Sequence, residues 1–157
     1  MNKNGFTLVE LLATLAILSI IMIIAIPNVM SILDKNKRTV YIEDAKKLQT
    51  LAEYEFTRDT TINRPNASNC VKIRLSYLDK TDLSTGPNDG TYDVNQSFVV
   101  IRYDGSKYTY QVQLVENYSG KKKGVKLTSY DSLLAENASK TLIATSGFSS
   151  QTCTVTK

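Results

Sequence analysis

Few residues in this chain can do chemistry, and the most informative is a carboxylate in an apolar setting. Glu10 is the only charged residue between Phe6 and Leu33, in a run of Leu, Ile, Val, Ala and Met with scattered hydroxyls, one Pro and one Asn. A carboxylate inside a membrane-spanning run costs roughly 2–3 kcal/mol, so such residues are as a rule functional and paired. Elsewhere the inventory is sparse. The 157 residues include no His, which removes the commonest general base and metal ligand. Ser-His-Asp and Cys-His sites are therefore impossible. Two Cys plus carboxylates would be an uncommon zinc set. Neither GxxxxGK[ST] nor GxGxxG occurs, so no phosphate loop is expected. Cys70 and Cys153 either stay as free buried thiols or join, depending on the compartment. No enzyme, cofactor or metal centre is expected.

The charge pattern says where the rest of the molecule lies. Lys and Arg number 19 against 15 Asp and Glu, a net charge of +4. In residues 1–33, Lys3 and Glu10 cancel; residues 34–59 carry six of each sign; the excess lies in 60–157, twelve against eight. That excess is modest and falls short of a dedicated nucleic-acid domain. With 42% hydrophobic and 22% charged residues, neither wholesale disorder nor a multi-span membrane protein fits.

From Leu11 to Ile26 only Thr14 and Ser19 are not apolar. With Phe6 to Val9 added, the run exceeds the ~20 residues that cross ~30 Å of hydrocarbon. Lys3 precedes it, and Asp34-Lys35-Asn36-Lys37-Arg38 follows it. The apolar core is longer than the ~7–15 residues of a secretory signal, and no small-x-small cleavage site follows a shorter core.

The segment Lys3-Asn4-Gly5-Phe6-Thr7-Leu8-Val9-Glu10 resembles the processing site of the type IV pilin family. The resemblance covers roughly the first 30 residues. It implies cleavage between Gly5 and Phe6 by a prepilin peptidase, and methylation of the new Phe6 amine. Glu10 then holds the fifth mature position, where the family has its glutamate. Pro27 holds the twenty-second, where many pilins have a helix-kinking proline, and Ser19 the fourteenth, where glycine is frequent. An ammonium at Phe6 of one subunit can pair with the Glu10 carboxylate of another, each offsetting the other's desolvation. The implied partners are further copies of the chain in a helical filament, the peptidase, the pilus assembly platform and, before assembly, the inner membrane. The implied cysteine pairing is Cys70–Cys153, bracketing most of the globular part.

The elements that must position these residues follow from periodicity. Tyr41, Ala45, Leu48, Ala52 and Phe56 recur at steps of four and three, one helical face. The helix is expected from Phe6 to near Arg58, loosened or kinked at Pro27, which removes one backbone hydrogen bond. So long a helix needs lipid or other copies around its first half. Asn63-Arg64-Pro65-Asn66 ends it. Beyond it, Cys70–Leu78 alternates like a half-buried strand, and Ser97–Tyr103 and Lys107–Val115 flank Asp104-Gly105-Ser106 as a hairpin. Gly120–Gly124 reads as a turn, Val125–Thr128 as a short strand, and Asp131–Ala138 as a helical turn or loop. Thr141–Ala144 and Thr152–Thr156 are further strand candidates. The expectation is an α+β, pilin-like fold. Residues 1–5 are a leader and 6–58 a helix, of which 6–28 cross the membrane or form the filament core. Residues 59–157 form a globular domain with one antiparallel sheet of about four strands.

Weaker signals remain. Lys121, Lys122, Lys123 and Lys126 form a basic run that would suit DNA or an anionic surface, though a solubilising loop is the plainer reading. Asp79, Asp82, Asn88, Asp89 and Asp93 gather oxygens without calcium-loop spacing. The functional expectation is a pilus subunit for adhesion, twitching motility or biofilm formation. The alternative is a pseudopilin of a type II secretion or competence (DNA-uptake) system. A membrane-anchored monomeric binding domain is a third.

Overall fold

The computed structural model describes residues 6–78, 83–135, 138–153 and 155–156. The leader at 1–5, with Gly5, and the aspartates at 79 and 82 lie outside the described residues. The chain divides into two units, Met1–Asn36 and Lys37–Lys157. The fold is α+β. One helix, α1 (Leu8–Arg58), passes through both units, and Pro27 sits inside it without ending it.

In the first unit, every described residue from Phe6 to Asn36 is exposed. That includes Phe6 at 84% and Ile23 at 73%. Burying one large aliphatic side chain is worth about 1.5–3 kcal/mol, so this surface is unstable in water and calls for an apolar solvent or partner.

The second unit has a packed core. Tyr41, Ile42, Ala45, Leu48, Gln49, Ala52 and Phe56 are the buried stripe of α1. They meet one face of a sheet whose strands are β1 (Cys70–Arg74), β2 (Thr91–Tyr92), β3 (Phe98–Tyr103), β4 (Tyr108–Tyr118), β5 (Lys121–Ser129), β6 (Ile143–Ala144) and β7 (Val155–Thr156). The order is β6-β5-β4-β3-β1-β7, with β2 paired to β4. All pairings are antiparallel except β1 with β7. Val71, Ile73, Val99, Ile101, Val112, Leu114 and Val125 supply the helix-side layer of the core.

The four long strands correspond to the strand-like runs expected from the sequence, and the two-residue β6 and β7 lie within the candidates Thr141–Ala144 and Thr152–Thr156; β2 has no counterpart among them. Several boundaries differ from expectation: β4 runs on to Tyr118, past the expected end at Val115, and two others have a plain local cause. β1 stops at Arg74, because Tyr77 and Leu78 N–H groups turn back onto the Arg74 and Leu75 carbonyls (3.0 and 3.3 Å). β5 begins at Lys121, because the β4–β5 connection is only Ser119-Gly120, both with positive φ (45° and 72°). Such a two-residue turn suits the strand twist, and it draws the lysines into the ladder. Gly124 lies in that ladder where a Cβ would stand 2.0 Å from the Leu114 carbonyl oxygen. Ser129 then caps a short helix, α2 (Tyr130–Leu134), and α3 (Ala138–Thr141) follows.

The opposite sheet face is covered as well, which simple alternation did not indicate. Cys70, Phe98 and Val100 pack there with Leu127 and Cys153. Cys70 and Cys153 are joined by a disulfide. The Gln113 side chain clasps the chain just before it, donating to the Ser149 carbonyl (3.0 Å) and accepting from the Ser149 N–H (2.7 Å). Lys72, expected on a wet face, is only 7% exposed. Its ammonium lies 4.5 Å from the Phe98 ring centroid. Burial, with Arg74 nearby, pushes that ammonium below its ordinary pKa.

Two buried polar contacts tie α1 to the sheet unit. The Glu116 carboxylate, fully buried, accepts from the Tyr41 hydroxyl, the Asn88 N–H (3.0 Å), the Asn88 side-chain amide (2.9 Å) and the Gly90 N–H (2.9 Å). Gly86 must be glycine, since a Cβ there would come within 2.4 Å of the Glu116 carboxyl carbon. The Tyr92 hydroxyl donates to Asp44. Burial first, and then the carboxylate partner, hold both Tyr41 and Tyr92 well above the ordinary phenol value of 10.0.

Two outcomes follow. Reducing the bridge, or making Cys70→Ser with Cys153→Ser, removes a cross-link over 83 positions. In the loop-entropy account this costs about 4.5 kcal/mol, to be read as a lower urea midpoint. The raised tyrosines also set an alkaline limit. Below the unfolded phenol value both states hold the proton and the stabilisation is complete. Above it the unfolded chain ionises first, so stability falls as pH rises through roughly 10 to 11. Lys72 acts in the opposite sense over that range, so the readout is a difference: Tyr92→Phe should show a shallower alkaline loss than the wild type in urea unfolding at stepped pH.

Candidate functional site

The site begins where α1 begins. Thr7 has the residue type that caps helices, and Glu10 stands three positions later, the spacing of a capping box. Both halves of the box are formed. The Thr7 hydroxyl oxygen accepts from the Glu10 N–H at 3.3 Å. Glu10 Oε2 accepts from the Thr7 N–H and from the Thr7 hydroxyl, each at 2.9 Å. The helix ladder starts with the Leu11 N–H on the Thr7 carbonyl at 3.2 Å. Free helix N–H groups need acceptors, and in an apolar run no water supplies them. Glu10 therefore completes its own helix terminus, while its Oε1 accepts no hydrogen bond from a described residue. The Thr-x-x-Glu spacing was the available signal for this role.

Behind the cap, α1 is long and apolar enough to cross a membrane. Its internal polar groups are satisfied locally. Thr14 donates to the Leu11 carbonyl (2.8 Å), Ser19 to the Leu15 carbonyl (2.8 Å) and Asn28 to the Ile24 carbonyl (3.1 Å). The Asn28 bond spans the turn that contains Pro27, whose ring nitrogen cannot donate.

The other candidate residues are distributed differently from a single site. Phe6 and Glu10 share the helix start, whereas Gly5 lies outside the described residues. The lysine run lies on β5, where successive side chains alternate between faces. Lys121 and Lys123 therefore share one face, and Lys122 and Lys126 the other, so the run is not one patch. Of the oxygens singled out in the 86–96 segment, those of Asn88 and Asp93 are engaged. Asn88 serves Glu116, and its Oδ1 accepts from Lys37 (3.3 Å). Asp93 accepts from the Asn95 and Gln96 N–H groups (3.0 and 2.9 Å) and from the Asn117 amide (3.1 Å). Burial alone would raise the Asp93 carboxyl, but these donors and Lys122 outweigh it and hold it below its ordinary value. Among the described residues no group of three or more His, Cys, Asp or Glu could hold a metal.

The cap can be tested directly. Thr7→Val keeps the shape but removes the hydroxyl, and loss of such a cap costs about 1 kcal/mol. In detergent micelles, amide exchange over Val9–Leu11 should quicken about fivefold, since ~1 kcal/mol is that factor in an opening constant. Thr7→Ser should restore the slower rate.

Comparison with known proteins agrees with this geometry. Residues 1–26 match the family model described as the prokaryotic N-terminal methylation motif. The chain is also similar to the competence protein ComGC of Bacillus subtilis (strain 168), with 40% identity over 57 residues. That match covers 36% of this chain and 54% of the relative, so the chain spans about half the length of the curated relative it matches. No solved structure matches the chain. At its N-terminus, then, this chain carries the methylation motif of type IV pilin-like proteins.

Proposed function

We propose that this chain is a structural subunit that is cut between Gly5 and Phe6, N-methylated at Phe6, and assembled through α1 with other pilin-like subunits into a filament. The observation that carries this reading is the wholly exposed apolar surface from Phe6 to Asn36, with one carboxylate at its start. Before assembly the surface is solvated by membrane lipid; after it, by the same surface of neighbouring copies. The globular unit then coats the outside. Prepilin peptidase and an assembly platform are the implied helpers.

Glu10 takes the register role within this reading. Its Oε2 is held by Thr7, which fixes the side chain in one rotamer, and Oε1 is the acceptor offered to a neighbour's Phe6 ammonium. Stranding either charge would be strongly unfavourable, so subunits out of step are rejected. Pro27 is the proposed point of bending or loosening as the helices pack.

Two settings fit such a subunit. One is a surface pilus for adhesion, twitching motility or biofilm formation. The other is a competence pseudopilin that serves DNA uptake, and similarity to a competence protein supports it at least as well. The split of the β5 lysines over two faces gives DNA no continuous basic surface on one subunit, so DNA contact would draw on adjacent subunits.

Mass spectrometry of the mature chain should find N-methyl-Phe6, and Gly5→Val should leave the leader attached. Glu10→Ala should give a processed chain that assembles poorly, seen as few filaments by electron microscopy; normal filaments would refute the register role. Deleting the gene and scoring transformation against surface filaments separates the two settings. Loss of transformation with surface pili retained selects the competence system, and the reverse selects the surface pilus.

A further inference from the structure

The contact between α1, the 86–90 loop and β4 holds the parts of a covalent reaction. Lys37 Nζ donates to Asn88 Oδ1 at 3.3 Å. From the other arm of the same amide, Asn88 Nδ2 donates to Glu116 Oε2 at 2.9 Å and to the Tyr41 hydroxyl oxygen at 2.7 Å. An amine, a carboxamide and a carboxylate therefore stand in a row. They come from positions 51 and 28 residues apart, and all belong to the second unit.

The row is held from several sides. Glu116 and Tyr41 are fully buried. The Asn88 and Gly90 N–H groups fix Glu116 Oε1 (3.0 and 2.9 Å), and the Tyr41 hydroxyl donates to Oε2. These partners also set the amide's orientation, since only its oxygen can face the Lys37 donors and only its nitrogen can face a carboxylate. A buried carboxylate is most simply satisfied by a direct cation. Here the Lys37 ammonium stands instead across Asn88, within hydrogen-bond reach of the carbonyl whose carbon an amine would attack. Glu116 lies on the nitrogen that would leave. Lys37 and Asn88 are both half-buried, so solvent reaches the amine end of the row and not the carboxylate end.

We propose that Lys37 and Asn88 join in a side-chain isopeptide bond, with Glu116 as the proton relay. Water takes one proton from the Lys37 ammonium, which frees the Nζ lone pair. Nζ bonds to Asn88 Cγ, and the carbonyl electron pair moves to Oδ1. Glu116 accepts a second proton from Nζ and delivers it to Nδ2. The carbonyl re-forms, the Cγ–Nδ2 bond breaks, and ammonia leaves with that bond's electron pair and takes up a proton from water. The sum is one ammonium and one carboxamide converted to one secondary amide and one ammonium ion, with no oxidant or co-reactant. The new amide N–H then replaces Asn88 Nδ2 as a donor to Glu116. The disulfide joins Cys70 to Cys153, both beyond α1. The isopeptide bond instead ties α1 to the sheet unit at Lys37, the first residue of that unit.

The test weighs the full chain, folded in detergent micelles and with its disulfide reduced, by mass spectrometry. Loss of ammonia should leave the wild type about 17 Da below its sequence mass, and digestion should give Lys37 and Asn88 in one cross-linked peptide pair. Lys37→Arg keeps a donor for Asn88 but stays charged and cannot attack, so it should show the full mass. Glu116→Gln should slow bond formation about a hundredfold, read as the cross-linked fraction against time. If that variant does not fold, Lys37→Arg and Asn88→Ser still decide, since each should show the full mass. The proposal is overturned if the folded wild type keeps its full mass. It is also overturned if the loss persists in Lys37→Arg, which marks a succinimide at an asparagine instead. Equal rates in Glu116→Gln overturn the relay role. None of these readouts depends on filament assembly.

Discussion

A helix that must be satisfied in two surroundings sets the terms for everything else in this molecule. Over α1 (Leu8–Arg58) the backbone closes its own hydrogen bonds, so the helix itself can exist in lipid or in water. What changes along it is the side-chain layer. From Phe6 to Asn36 all described residues are exposed, and most are apolar. From Tyr41 to Phe56 a single stripe is buried. Over the first stretch no described residue covers the helix. The second stretch has a sheet to cover it. Apolar surroundings are therefore what the side chains of the first unit call for.

The helix start carries the sharpest consequence of that constraint. A helix terminus exposes N–H groups, and these are unfavourable wherever water is scarce. Thr7 and Glu10 answer this within one turn. The lone carboxylate of the apolar run is thereby held by Thr7. A held carboxylate loses less conformational entropy when it meets an ammonium, which suits a register contact. Only one of the two Glu10 oxygens is used in the cap.

At the other end, the globular unit is held by a few buried polar anchors on top of its apolar core. Glu116 gathers four donors from α1 and from the 86–90 loop, and the glycines of that loop allow the close approach. The disulfide and the Gln113 clasp fold the C-terminal segment over the second sheet face. This is why Lys72 and Phe98 are buried on a face that reads as wet.

Local pattern alone determined much of this protein. The apolar run and the methylation motif over residues 1–26 mark the N-terminal segment, because both are properties of contiguous sequence. The amphipathic steps from Tyr41 to Phe56 and the four long strands are visible because side-chain period follows backbone geometry directly. The Thr7–Glu10 cap was equally local, although the carboxylate's place in the apolar run drew attention away from its spacing. Only the tertiary structure decided the rest. The two-residue strand at Thr91–Tyr92 exists through pairing with β4, and the short strands within the expected Thr141–Ala144 and Thr152–Thr156 runs take their extent from pairing with β5 and β1. The burial of Glu116 and Lys72, the union of Cys70 with Cys153, and the splitting of the lysine run between two faces are set by registers and coverings. These depend on which residues meet across long separations, and a one-dimensional pattern does not encode that.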